Sequence, residues 1–168
     1  MHRPTQYGHN RSPYHLPVMV MIELFLLAIQ FIMGMWMNLF AIFPSLNSPY
    51  MFGMMNVMFS VPELMVHIMV GIIIGLLSII ILIMAMTKGN PTLIVVSVIG
   101  SVSILFAGIS GFEFMFSGFQ NNTLSFTMSL GFIFAVISYF IFIYDISVRE
   151  RNVTSFSDQT VLHSDILS

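Results

Sequence analysis

The sequence predicts an all-α, polytopic membrane protein folded as an antiparallel bundle of four transmembrane helices. Three observations predict it: low charge, four long apolar segments, and basic residues confined to the parts between or beyond those segments. Of the 168 residues, 57% are hydrophobic and only 7% are Asp, Glu, Lys or Arg, whereas a soluble domain carries roughly 25% charge. A mean hydropathy of +0.95 indicates that lipid is the main solvent of this chain.

Each apolar segment is long enough to cross a bilayer. A hydrocarbon core about 30 Å thick needs about 20 residues of α-helix. Helices are favoured over barrel strands because the segments are continuously apolar and do not alternate. We predict spans over residues 16–43, 61–86, 92–116 and 124–144. Residues 1–15 then form an N-terminal tail, and residues 145–168 form a short, polar, solvated C-terminal tail.

The positions of the basic residues predict the orientation of the chain. With four spans, both tails and the loop between the second and third spans lie on one side of the membrane. All the basic residues fall on that side: Arg3, Arg11, Lys88, Arg149 and Arg151. Because cytoplasmic loops are enriched in Lys and Arg, we expect cytoplasmic termini and a multi-pass location in the cell membrane.

Small residues spaced four apart predict where the helices pack. Gly71 and Gly75 form a GxxxG step in the second span, which lets another backbone approach closely. The third and fourth spans carry similar seams, namely Ser103, Ala107 and Gly111, then Gly131 and Ala135. Packing is the favoured interpretation of these seams, ahead of ligand binding.

A polar stripe runs along the first span. Glu23, Gln30, Gly34 and Asn38 lie on one face of the helix by the 3.6-residue period. Polar groups at this depth are expected to face the bundle interior or a protein partner.

Four polar side chains share a depth near the outer ends of the first three spans: Asn38, Glu63, His67 and Glu113. One hypothesis is a pocket in which His67 binds a haem or a quinone headgroup, while a carboxylate fixes the imidazole tautomer or accepts its proton. The alternative is that His67 only makes hydrogen bonds between helices, with both glutamates reaching water. Because no second His lies within a span, a haem would have to be shared with a partner subunit.

The loop between the first two spans is rich in Met. Met51, Met54, Met55 and Met58 follow helical spacing, and thioethers suit Cu(I), so a copper site is one interpretation. An interfacial helix is favoured over it, because Met serves throughout this chain as an adaptable apolar residue. Asn121 begins an Asn-Asn-Thr sequon in the other outward loop, which makes it a candidate glycosylation site.

Several classes of function lack their sequence signature. The chain has no Cys, no Gly-rich phosphate loop, no HExxH and no nucleophile elbow, so we do not expect an enzyme. A net charge of -2 makes nucleic acid an unexpected partner. An oligomeric channel or transporter is a weaker alternative, since neither an inverted repeat nor a filter motif is evident.

The residues from Gln30 to Phe40, followed by Glu63 to His67 and the GxxxG step, resemble a group of small four-helix membrane proteins of archaea and bacteria. The absence of Cys, the abundance of Ile and Met and the very small soluble part are similar to accessory subunits of respiratory, terminal oxidase-type complexes. This resemblance implies a non-catalytic accessory subunit with membrane lipids and other integral membrane subunits as partners.

Overall fold

A computed structural model of the chain describes residues 15–43 and 57–166. Within these ranges the chain forms four long helices and no strand, so the predicted all-α bundle is confirmed. The helices are α1 (His15–Phe40), α2 (Pro62–Lys88), α3 (Pro91–Phe116) and α4 (Asn122–Ile166). All four contain a segment long and apolar enough to cross a membrane. The protein is therefore a multi-pass membrane protein.

A tight turn joins α2 to α3. Gly89 adopts a left-handed conformation, with φ 65°, and its N–H donates to the Met86 carbonyl, which ends α2. Asn90 then caps α3, because its side-chain oxygen accepts a hydrogen bond of 3.1 Å from the Thr92 N–H. Pro91 occupies the first helical position, where no N–H is needed. The breakers in the sequence thus fix a two-helix hairpin.

Each helix packs against two neighbours, so that α1, α2, α3 and α4 follow one another around the bundle and α4 returns to α1. The inward positions recur at intervals of three and four residues, as expected for nearly antiparallel helices. In α1 the buried positions are Leu16, Val20, Glu23, Leu27 and Met37. One of these five, Glu23, is a carboxylate and is the one buried acidic side chain among the residues whose burial the structure describes.

Different contacts close the two ends of the bundle. At the end that holds the α2–α3 turn, the Asn90 amide donates to Asp145 of α4 at 3.2 Å, and Arg149 Nε donates to the same carboxylate oxygen at 2.8 Å. At the opposite end, the rings of Phe43 and Phe119 stack with centroids 4.0 Å apart. The first end carries basic residues, and the second is closed by aromatic rings.

The fourth helix continues well past the predicted end of its span at residue 144. Its backbone stays helical to Ile166, through residues predicted as a polar tail. The sequence contains no Gly or Pro after Gly131, so no residue breaks the helix. The segment that could cross the membrane ends at Arg149, and the remainder is a polar extension of the same helix.

The outer surface of the bundle is apolar on every helix. Phe25, Leu105, Phe116 and Phe140 are each more than 60% exposed, and many Ile, Leu and Val side chains are about half exposed. Such a surface would be unstable in water but is compatible with hydrocarbon. These side chains provide the lipid contact of the protein.

Candidate functional site

The interface between α1 and α2 contains the predicted His67. Gln30 Nε2 of α1 donates a hydrogen bond of 3.0 Å to the His67 backbone carbonyl. Glycines allow this approach: a Cβ on Gly71 would lie 3.1 Å from Gln30 Nε2, and a Cβ on Gly34 would lie 3.4 Å from His67 Cε1. The polar stripe of α1 and the GxxxG step of α2 therefore meet at this point.

Two polar atoms at this contact have no hydrogen-bond partner among residues 15–43 and 57–166. The imidazole of His67 is half-buried, and its Nδ1 is shielded from solvent without a partner. The side-chain oxygen of Gln30 is in the same situation. Because buried polar groups are normally paired, these two atoms form a small unsatisfied polar site, which we call the His67 pair.

The other three residues of the predicted pocket are exposed. Asn38, Glu63 and Glu113 all present their side chains to the outside of the single chain. Glu63 lines an open groove at the ends of α1 and α2, together with Trp36, Phe40, Ala41, Ile42, Ser60 and Val61. The inward stripe of α1 passes through Met37, which turns Asn38 about 100° away from it. A shared depth therefore does not bring these three side chains to His67 within the described chain.

A second polar site lies deeper in the bundle and was not predicted as a site. Glu23 is fully buried, as is Tyr139 of α4. The Tyr139 hydroxyl lies beside the side chains of Ser78 and Ser101. It is also close enough to Glu23 for the two groups to repel each other when both are ionised. We call these four residues the Glu23 cluster. The signal in the sequence was Glu23 itself, an acidic residue within an apolar span.

The predicted packing residues occupy different environments. Gly131 is in the tightest of them, since an added Cβ would lie 2.8 Å from the Ser103 carbonyl oxygen and 2.9 Å from Ala107 Cβ. An added Cβ on Gly111 would lie 3.1 Å from Met128 Sδ, and Ala135 is fully buried. Gly75 was predicted to lie at a close helix contact, but a Cβ added there would have no described atom of another helix within 4 Å. Only the first glycine of the GxxxG step is therefore in close contact with α1.

The predicted loop sites are only partly within the described residues. Met51, Met54 and Met55 lie outside them, whereas Met58 is half-buried in a helical turn over residues 57–60. Asn121 is exposed just before α4, and its side-chain oxygen accepts a hydrogen bond of 3.1 Å from the Thr123 N–H. Asn121 thus serves as the cap of α4 and remains a candidate for glycosylation.

Comparison of the chain with protein-family models, with curated proteins and with solved structures finds no match in any of the three. Across residues 15–43 and 57–166, no group of three or more His, Asp or Glu side chains is arranged to hold a metal ion. What this part of the chain does offer is the His67 pair and the Glu23 cluster.

Proposed function

We propose that this protein is a non-catalytic accessory subunit of a multi-subunit complex in the cell membrane, with both termini in the cytoplasm. The observation that carries the proposal is the open groove at the outer ends of α1 and α2. It combines the only Trp of the chain with a carboxylate, Glu63, on an otherwise apolar surface. A neighbouring subunit can fill such a groove with apolar side chains and pair a polar group with Glu63.

The composition supports a respiratory complex as the assembly. The resemblance to accessory subunits of terminal oxidase-type complexes rests on the absence of Cys and on the small soluble part. Lys88 and Arg149 lie at the end of the bundle opposite this groove, which supports a cytoplasmic position for that end. The groove would then lie at the outer face of the membrane.

The experiment is native purification in mild detergent from the source cells, followed by mass spectrometry of co-migrating subunits. We expect wild-type protein to migrate with other integral membrane subunits. Trp36→Ala should release it from the complex, because a Trp in an interface groove is a typical hot spot. Phe140→Ala, at an exposed position of α4, is the control and should leave assembly unchanged. A lone monomer in the wild-type sample would refute the proposal.

A second candidate function is quinone binding at the His67 pair. It is favoured by the unpartnered His67 Nδ1 and Gln30 side-chain oxygen, which lie on two adjacent helices. An imidazole N–H can donate to a quinone carbonyl, and an amide oxygen can accept from a quinol hydroxyl. A haem fits this site less well, because it would need its second axial ligand from a partner subunit.

This candidate is tested by quinone titration of the purified protein and by its optical spectrum. His67→Ala and Gln30→Ala should each weaken quinone binding roughly tenfold, as expected for losing one hydrogen bond of about 1.4 kcal/mol. Glu113→Gln serves as the control because its side chain is exposed and lies on α3, which does not carry either residue of the pair. Unchanged quinone affinity in both test variants, without haem absorption in the wild type, would exclude this candidate.

A further inference from the structure

The Glu23 cluster places a carboxylate in the interior of the bundle. Within the part of the chain that the structure describes, Glu23 is 0% exposed, and neither of its carboxylate oxygens has a hydrogen-bond partner. The hydroxyl of Tyr139, also 0% exposed, has no partner of good geometry either. An uncompensated carboxylate in a low-dielectric interior is very costly. Something must therefore neutralise Glu23 or complete its hydrogen bonds.

The register of the helices explains why these groups meet. Gln30 lies against Gly71, and Gly34 lies against His67. Following the same antiparallel register two turns along both helices places Glu23 opposite Ser78. Helix α4 contributes Tyr139, whose ring passes so close to Gly100 that a Cβ there would lie 3.1 Å from it. Each of the four helices therefore contributes one residue to the Glu23 cluster.

No basic side chain of the described chain supplies the missing positive charge. His15, Lys88, Arg149 and Arg151 are all exposed near the ends of the membrane segments. In the sequence, the remaining basic residues, Arg3 and Arg11, precede the first span. His67 is eleven residues from Ser78 along α2, or about 16 Å at the helical rise. Within residues 15–43 and 57–166, therefore, no basic side chain near Glu23 supplies the compensating charge.

The neighbouring serine hydroxyls donate to backbone carbonyls, which leaves their oxygens available as acceptors. Ser78 Oγ donates its proton to the Gly75 carbonyl at 2.8 Å, and Ser101 Oγ donates to the Ser78 carbonyl at 3.2 Å. Both serine protons are thus committed to the backbone, and their oxygens retain lone pairs. The cluster is a set of oxygen atoms around one carboxylate, with Tyr139 as its one uncommitted donor.

We propose that the Glu23 cluster is a binding site for a small monovalent cation, H⁺ or Na⁺, inside the helical bundle. A single positive charge balances the one carboxylate, whereas a divalent ion would leave an excess positive charge in the interior. A hydronium ion from the aqueous phase would give its proton to one Glu23 oxygen and leave as water, so that the buried carboxyl group is uncharged. Na⁺ would be held by the carboxylate and hydroxyl oxygens.

The test is infrared spectroscopy of the full-length protein in liposomes. A protonated Glu23 gives a carboxylic acid C=O band that is absent from the ionised form. Glu23→Gln should remove this band, whereas Glu63→Gln and Glu113→Gln, at exposed positions, should leave it unchanged. Tyr139→Phe should shift the band, because it removes the nearby polar hydroxyl group while keeping the ring.

Cation titrations distinguish the two occupants. If the site takes Na⁺, adding Na⁺ at constant pH removes the band, and choline at the same concentration does not. If it takes only H⁺, the band is insensitive to Na⁺ and disappears as the pH rises. Should Glu23→Gln fail to fold, carbodiimide labelling of wild-type protein, mapped by mass spectrometry, reports protonated Glu23 and its protection by Na⁺. A folded wild-type protein with neither the band nor any Na⁺-dependent change would overturn the proposal.

The site does not depend on the proposed role in a complex. Both measurements use the isolated chain in liposomes, so a negative result bears only on the Glu23 cluster. Loss of co-migrating subunits, in contrast, bears only on the accessory role.

Discussion

Gly131 of α4 packs so closely against Ala107 of α3 that a Cβ added to the glycine would lie 2.9 Å from the alanine Cβ. The same added carbon would lie 2.8 Å from the Ser103 carbonyl oxygen. That oxygen belongs to the backbone of α3 and cannot rotate away. The α3–α4 interface, the most extensive in the bundle, therefore requires glycine at position 131.

Replacing Gly131 with Ala should destabilise the protein by about 1–3 kcal/mol, because the new methyl group overpacks this contact. The measurement is reversible unfolding in mixed detergent micelles. Gly108→Ala is the matched control in α3, since Gly108 is exposed and a Cβ there meets nothing within 4 Å. Equal unfolding free energies for the two variants would contradict the close contact.

Gly100→Ala should disturb the Glu23 cluster through Tyr139. The added Cβ would lie 3.1 Å from Tyr139 Cζ and within 3.4 Å of two further ring carbons. Because the ring is rigid and fully buried, we expect a loss of about 1–3 kcal/mol in unfolding free energy.

A double-mutant cycle with Tyr139→Leu isolates this contact. Once the ring is removed, Gly100→Ala should cost much less than it does in the wild type, so the two substitutions should be non-additive by about 1 kcal/mol or more. Strict additivity would show that the Gly100 and Tyr139 positions do not interact.

The sequence predicts most of the fold because hydropathy and helix breakers act locally. Predicted spans at 61–86 and 92–116 agree with α2 (Pro62–Lys88) and α3 (Pro91–Phe116) to within two residues. Gly89, Asn90 and Pro91 fix that boundary by themselves. The end of α4 could not be located in this way, since hydropathy marks where a helix leaves the lipid but not where its hydrogen bonds stop.

The candidate sites were predicted less completely, because they depend on contacts between helices. The helical period correctly predicted that Glu23 lies on an inward face of α1. It could not predict that Tyr139 of α4 lies in the same part of the interior. That meeting depends on the close approach of α3 and α4 at Gly131 and of Tyr139 to Gly100. Conversely, the similar depth of Glu63 and His67 in the membrane was the reason to predict a shared pocket. The Glu63 side chain is instead exposed.

Asp145→Ala should loosen the end of the bundle that holds the α2–α3 turn. It removes the acceptor of both the Asn90 amide and Arg149 Nε. Since the Arg149 side chain is 57% exposed, we expect a modest loss of about 0.5–1 kcal/mol in unfolding free energy. Asp145→Asn is the matched control, because it keeps an acceptor for Asn90 while removing the charge. The loss of unfolding free energy caused by Asp145→Ala should be smaller at high salt. A loss that increases with salt would exclude the ion pair as its cause.

Asn121 offers a combined test of glycosylation and orientation. In a eukaryotic secretory host we expect a glycosidase-sensitive mass increase on Asn121, because the sequon is exposed at the end predicted to lie outside. Thr123→Ala destroys the sequon but retains the cap of α4, since Thr123 contributes its backbone N–H to Asn121. That variant should lose the glycan at unchanged stability, whereas Asn121→Ala should lose the glycan and about 1 kcal/mol of unfolding free energy. A glycan on Asn10 or Asn152, which begin sequons on the other side of the predicted topology, would reverse the orientation.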